Sequence, residues 1–423
     1  MNETKKAFEN FHLNNRTVHT SLIDSMILVK QAAITAMKNL SLIEETKADA
    51  ILNACHFFLS NDDRSMFPTN PLQGGAGTST NMNVNEALSL KAMELCPAVG
   101  HIHPLDDVNR FQSTNDVYPT ALRIASISWI RKLSKEISML QESLQEKERI
   151  FASIKKIGRT QLMDALPITL GNEFGSYAQA IARDRWRIYK VEERLRQVNL
   201  GGTAVGTGSN ANRKYTFLVI EILRDLTDIG LSRAEYPMDL TQNQDVFVEV
   251  SGLLKALAVN LMKISNDLRL MNSDPYQEIC LKPMQKGSTI MPGKVNPVIP
   301  EMISQVAIQV VGNDAAISYA AMSGQFELNA FLPLIADNLL NSLELLTNGV
   351  HIFREKCIEP LTVNMNGCKR HLLSVTAAVT SLVPLIGYEK AEHLAQKSNH
   401  DFSLLKKLAK KELKPEDFSK IFE

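Results

Sequence analysis

Between Ile127 and Leu144 the apolar residues Ile127, Ile130, Leu133, Ile137, Leu140 and Leu144 recur at steps of 3, 3, 4, 3 and 4, with Leu122 leading in. That spacing gathers them on one stripe of a helix and leaves the other faces polar, the pattern of a long helix packed beside others. The same texture returns in Phe174, Tyr177, Ile181, Ile188, Val191 and Leu195, and again in Val250, Leu253, Leu254, Leu257, Leu261, Ile264 and Leu268. Leu339, Leu343, Leu346, Val350 and Phe353 follow at steps of 4, 3, 4 and 3, and a further helix is predicted from about Val298 to Met322. Residues 17–60 also read as helices, with Ile23, Met26, Ile27, Val29, Ala32, Ala33 and Met37 mostly at three- and four-residue steps. No β-alternating run of convincing length appears, so the chain is predicted to be all-α.

Small, polar stretches interrupt these seams. They are MFPTNPLQGGAGTSTNMNVN at 66–85, HIHPLDDVNRFQSTNDVYPT at 101–120, GRTQLMDALPITLGNE at 158–173 and NLGGTAVGTGSNAN at 199–212. The first two lack helical or strand periodicity over most of their length. Hydroxyls, amides and scattered backbone N–H groups suit a substrate that carries carboxylates. Ser, Thr and Asn are also favoured helix caps, and every stretch abuts a helix. Their recurrence in one chain favours a shared site. A fifth stretch, Lys286 to Pro297, mixes two glycines, two prolines, two hydroxyls, Lys294 and Asn296. Glycine and proline mark an irregular loop that can approach a ligand closely, and this is predicted to be the catalytic loop.

Bulk properties narrow the field. At 423 residues the chain exceeds a usual single core, and two or three domains are expected. Lys+Arg and Asp+Glu are 46 each, so no polyelectrolyte partner is indicated and nucleic-acid binding is not expected. The first twenty residues hold no apolar signal core, and no stretch approaches the roughly 18 apolar residues of a membrane span. The 5 cysteines are widely spaced with no CxxC, which predicts reduced thiols and a cytoplasmic protein. Gly287 to Lys294 fails as a P-loop because one residue too many separates its glycines and Val295 stands where a hydroxyl should ligate magnesium. QGGAGTST lacks the dinucleotide-binding glycine spacing and a preceding strand. The histidines form no compact ligand set, so neither a metal nor a cofactor is expected. The basic tail LLKKLAKKELKPEDFSKIF reads as a solvated helix face.

GSTIMPGKVNPVIPE at 287–301 resembles the signature loop of the aspartase/fumarase superfamily. QGGAGTSTNMNVNE, QSTNDVYPTALRIA, GRTQLMDALPITLGNE and NLGGTAVGTG resemble the family's other blocks, in the family's order. KAFENFHLNN at 6–15 and LLTNGVHIFREKCI at 345–358 lean toward its aspartase side. The resemblance implies a three-domain, all-α fold: residues 1–115, a central long-helix bundle over 116–363, and a small helical domain over 364–423. It implies a homotetramer whose active sites are shared between subunits. The implied reaction is elimination of ammonia from L-aspartate to give fumarate, through an aci-carboxylate intermediate. Ser288 matches the family's serine base. Lys294 and Asn296 match its carboxylate binders, and Thr78, Ser113, Thr114, Asn115, Thr160 and Gln161 its other substrate contacts.

The chain departs from the pattern at several positions. Thr289 replaces the second serine of the loop, and Gln161 stands where fumarases and many aspartases have histidine, although some aspartases also have glutamine. Leu105 replaces the asparagine of a fumarase HPNDD element, and Lys6 stands where aspartases have a functional arginine. Two alternatives follow: a class II fumarate hydratase acting on malate, and a catalytically silent homologue kept as a structural tetramer.

Overall fold

The predicted seams are interior. Ile127, Ile130, Leu133, Ile137, Leu140 and Leu144 are all buried, as are Leu339, Leu343, Leu346, Val350 and Phe353. The structure is a computed structural model describing residues 1–422. Its helices are α1 (Asn2–Asn10), α2 (Thr20–Asn39), α3 (Glu45–Ser60), α4 (Thr78–Leu95), α5 (Thr114–Ile150), α6 (Leu170–Leu195), α7 (Arg213–Thr227), α8 (Pro237–Gln242), α9 (Asp245–Asn272), α10 (Val298–Met322) and α11 (Leu332–Phe353). Shorter helices α12 (Met365–Leu372), α13 (Val375–Ile386), α14 (Tyr388–Ser398), α15 (Phe402–Glu412) and α16 (Pro415–Phe422) follow. None of the described helices is long and apolar enough to cross a membrane.

Contacts divide the chain into two compact units. The first holds Met1–Lys135, Asp184–Ala258 and Val306–Asn348; the second holds Glu136–Arg183, Val259–Gln305 and the chain from Gly349 onward. The boundary falls inside α5, α6, α9, α10 and α11.

In the first unit, α1 is tied to α4 by one carboxylate. Glu86 accepts from Glu3 N at 3.0 Å, Thr4 N at 2.9 Å and Thr4 Oγ1 at 2.6 Å, which satisfies the orphan donors of a helix N-terminus. Two stretches read as irregular are partly helical, since α4 begins at Thr78 and α5 at Thr114. Pro119 lies inside α5, where a proline removes the N–H that would bond the carbonyl four residues earlier. That carbonyl, Asn115 O, accepts instead from Asn199 Nδ2 at 3.0 Å. The helix continues through the proline because a side chain supplies the missing donor.

The second unit contains what the periodicity did not predict. β1 (Lys155–Thr160) and β2 (Met163–Thr169) pair as an antiparallel hairpin across the third polar stretch. Further short pairs join β3 (Gln197–Val198) to β4 (Ser232–Arg233) in the first unit, and β5 (Ile279–Cys280) to β6 (Thr362–Val363) in the second. α12 packs on β1 and α13 on β2. Leu382, Ala391, Leu405, Ala409, Phe418 and Phe422 form a core of their own among α13–α16, so the basic tail turns its apolar side inward.

Candidate active site

The loop between β5 and α10 closes on itself. Gly287 N donates to Lys294 O at 2.9 Å, and Asn296 Nδ2 donates to Gly287 O at 2.7 Å. A Cβ on residue 287 would lie 2.4 Å from Lys294 O, so only glycine allows this approach. Inside the ring, Ser288 Oγ accepts from Met291 N at 2.9 Å and from Ile290 N at 3.2 Å. Two N–H groups aimed at one oxygen are the setting that favours negative charge there. The loop bounds an open concavity of about 1010 Å³ lined by Ser288, Thr289, Met291 and Lys294. Lys294 is exposed and has no ion pair among the described residues, so its ammonium is available to an anion.

Thr160 and Gln161 sit at the tip of the β1–β2 hairpin. Thr160 pairs with Met163, leaving Gln161 and Leu162 as a two-residue turn with φ of 53° and 64°. Both residues are in the left-handed region, which glycine or asparagine would normally occupy in this kind of turn. Each such residue costs on the order of 1–3 kcal/mol and persists only when its surroundings over-determine it. The surroundings are ionic. Arg159 Nε lies 3.2 Å from Asp164 Oδ1 across the hairpin, and its guanidinium sits over the Tyr276 ring at 4.4 Å. Arg159, Gln161, Lys156, Lys263, Asp267 and Tyr276 line a cavity of about 350 Å³.

The other predicted contacts belong to the first unit. Ser113 caps α5: its Oγ accepts from Asn115 N at 3.2 Å, while Ser113 N donates to Asp116 Oδ1 at 3.0 Å. This is a capping box with aspartate in the third position. The cap and the site readings therefore fall on one residue. Thr114 is buried, and its Oγ1 accepts from Asn81 Nδ2 at 3.1 Å. Asn115 Nδ2 donates to Ala204 O at 2.8 Å, and Thr78 Oγ1, at the exposed start of α4, donates to Gly75 O at 2.7 Å. Within this unit the 75–81, 113–116 and 199–204 stretches are thus joined by hydrogen bonds.

Sequence reasoning missed the groups that do the joining. Asp116 is fully buried and accepts from Gly201 N at 3.0 Å and Thr203 N at 2.9 Å as well as from Ser113 N. Burial pushes its carboxyl up to about 6, against the pull of those three donors. Lys30, also fully buried, donates to Asn109 Oδ1 at 2.8 Å and Gln112 Oε1 at 3.0 Å, and burial lowers its ammonium to about 7. Asn109 Oδ1 further accepts from Asn81 and Asn85. An aspartate three residues after a capping serine was the one visible signal.

The departures noted in the sequence are occupied locally. Lys6 is exposed and donates to Glu3 Oε1 at 2.7 Å. His103 Nδ1 accepts from Leu105 N and Asp106 N, and Asp107 Oδ2 accepts from His103 N at 2.7 Å and Lys47 Nζ at 3.0 Å. The HPLDD element is closed by its own hydrogen bonds.

The family profile described as a lyase matches residues 1–312. Aspartate ammonia-lyase from Helicobacter pylori (strain ATCC 700392 / 26695) is 41% identical over 97% of this chain and 91% of its own length. Aspartate ammonia-lyase from Bacillus subtilis (strain 168) is 40% identical over 94% of this chain and 85% of its own. Among solved structures, a fumarate lyase:delta crystallin from Brucella melitensis bound to cobalt superposes with a TM-score of 0.92 at 40% identity, covering 99% of this chain and 93% of that one. A class II fumarase from Schistosoma mansoni gives 0.94 at 32% identity, covering 100% and 94%. The chain belongs to the aspartase/fumarase superfamily of lyases, and its fold is the all-α fold of that family.

Proposed function

We propose that this protein is a carbon–nitrogen lyase that eliminates ammonia from L-aspartate to give fumarate, reversibly. The observation that carries the reading is the Ser288 hydroxyl, held by two backbone N–H groups in a loop that also presents the free ammonium of Lys294. Similarity to aspartate ammonia-lyases over nearly the whole chain supports the substrate.

On this reading the difficult step is removal of a weakly acidic C–H proton beside a carboxylate. Ser288, as an alkoxide, takes the proton from C3 of L-aspartate. The electron pair moves into the adjacent C4 carboxylate, which becomes an aci-carboxylate with two negative charges. Preorganised donors are the principal means of holding that charge, and Lys294 and Asn296 supply them from the same loop. The pair then returns to form the C2=C3 bond as the C2–N bond breaks, and ammonia leaves with the bonding pair. Thr78, Ser113, Thr114, Asn115, Thr160 and Gln161 would hold and orient the substrate. The loop glycines would let it close and exclude water before proton transfer.

The second reading, hydration of fumarate to malate, has the similarity to the class II fumarase in its favour. Aspartase is preferred because the chain is similar to aspartate ammonia-lyases over nearly its whole length, and Gln161 leaves no histidine relay at the hairpin tip. We also propose a homotetramer of three-domain subunits with shared active sites, acting in the cytoplasm. Exposed apolar side chains on α10 support an assembly that covers them: Ile308 is 59% exposed, Tyr319 69% and Met322 69%. The test is to offer L-aspartate to the purified protein and measure fumarate and ammonium together. Equal amounts of both are expected, from a particle of four chains by light scattering. Absence of product from L-aspartate and from L-malate alike, in a folded tetramer, would support the silent homologue.

A further inference from the structure

The hairpin tip carries two of the proposed substrate contacts, yet Thr160 and Gln161 make no side-chain hydrogen bond among the described residues. What fixes the tip lies one residue below it. Glu278 is 0% exposed in its side chain, and its carboxylate is shared by two cations of β1. Arg159 Nη1 donates to Glu278 Oε1 at 2.7 Å. Lys156 Nζ forms an ion pair with Oε2 at 2.7 Å. The two cations flank the register shift between Ile157 and Arg159.

Glu278 is itself immobilised through its backbone. Its N–H donates to Met271 O at 2.8 Å, and its carbonyl accepts from Asn364 N at 2.9 Å and Cys368 Sγ at 3.4 Å. The next residues are β5, which pairs with β6 and leads into the loop bearing Ser288. One buried carboxylate therefore joins the strand under the hairpin tip to the segment that enters the catalytic loop.

We propose that Glu278 is a positioning residue for Thr160 and Gln161, acting through Arg159. The inference rests on the lyase reading for its catalytic consequence. Neutralising this buried carboxylate removes the one group that both cations share: Lys156 keeps Glu173 and Arg159 keeps Asp164, but the tie from β1 to the segment before β5 is lost. The left-handed turn beyond it is then held only by the Arg159–Asp164 pair within the hairpin, and displacement of a substrate contact weakens binding more than proton transfer.

The experiment uses the full chain with Glu278→Gln, which keeps shape and removes charge. Relative to the parent, KM for L-aspartate is expected to rise about tenfold with kcat within about threefold. Backbone amides of 160–163 are expected to exchange with deuterium about tenfold faster. Glu173→Gln is the control: it removes the other carboxylate on Lys156, 2.7 Å from Nζ, without touching Arg159, and should leave KM at the parent value. If Glu278→Gln does not fold, Arg159→Lys replaces it, since lysine cannot span Glu278 and Asp164 with a fork, and the same KM rise is expected. Parent-like KM and hairpin exchange in the variant that folds would overturn the proposal, as would an equal KM rise in Glu173→Gln. A parent that makes no fumarate from L-aspartate refutes the aspartate ammonia-lyase reading instead. The exchange of residues 160–163 then decides the positioning claim alone, because it needs no turnover.

Discussion

Replacing Ser288 by alanine separates catalysis from folding within one side chain. The hydroxyl accepts two hydrogen bonds, from Ile290 N and Met291 N, and both donors belong to exposed residues. Water can take the place of Oγ, so the loss is at the low end of the range for a hydrogen bond, about 1 kcal/mol or less for the pair. The loop's closure does not depend on it, because Gly287 N to Lys294 O and Asn296 Nδ2 to Gly287 O remain. Loss of a general base removes about 10²–10⁴-fold in rate, equivalent to roughly 3–5 kcal/mol of transition-state stabilisation. Ser288→Ala should therefore melt within about 2 °C of the parent while its kcat for fumarate formation falls by at least about a hundredfold. Thermal denaturation and initial rates on one preparation measure both. A variant keeping more than about a tenth of the parent kcat would remove Ser288 from the role of base. A collapse in melting temperature would show that the hydroxyl is structural.

Two further outcomes test the first unit. Gly77 has φ of +92°, and a Cβ there would lie 2.3 Å from Cδ2 of the buried Tyr118 ring, so Gly77→Ala should cost about 3 kcal/mol or more, read as an earlier thermal transition. Burial lowers the Lys30 ammonium from its ordinary 10.5 to about 7 in the fold. Between those values the unfolded chain binds the extra proton, so the lysine's contribution makes stability rise with pH by on the order of 4 kcal/mol. Denaturant titrations from pH 7 to 10 should show that rise in the parent relative to Lys30→Met; parallel curves would refute it.

The helices were legible because burial imposes a period, and the seams from Ile127 to Leu144 and Leu339 to Phe353 keep it without interruption. The hairpin was not. Its turn is Gln161-Leu162, with neither residue a marker of left-handed backbone, and its second strand contains Pro167. Helix α5 starts before Pro119 for a reason absent from local sequence, since the rescuing donor is Asn199. The same limit applies to the site. Ser288 and Lys294 announced themselves by loop composition. Asp116, Lys30 and Glu278 act through burial and partners remote in the chain, and a lone Asp, Lys or Glu carries no mark of either.

On this reading the loop and its partners abstract a proton from aspartate rather than process malate. One preparation, offered L-aspartate and L-malate separately at equal concentration and followed by the ultraviolet absorbance of fumarate, tests it directly. Fumarate is expected from L-aspartate and none from L-malate; fumarate from L-malate alone would refute the aspartate reading.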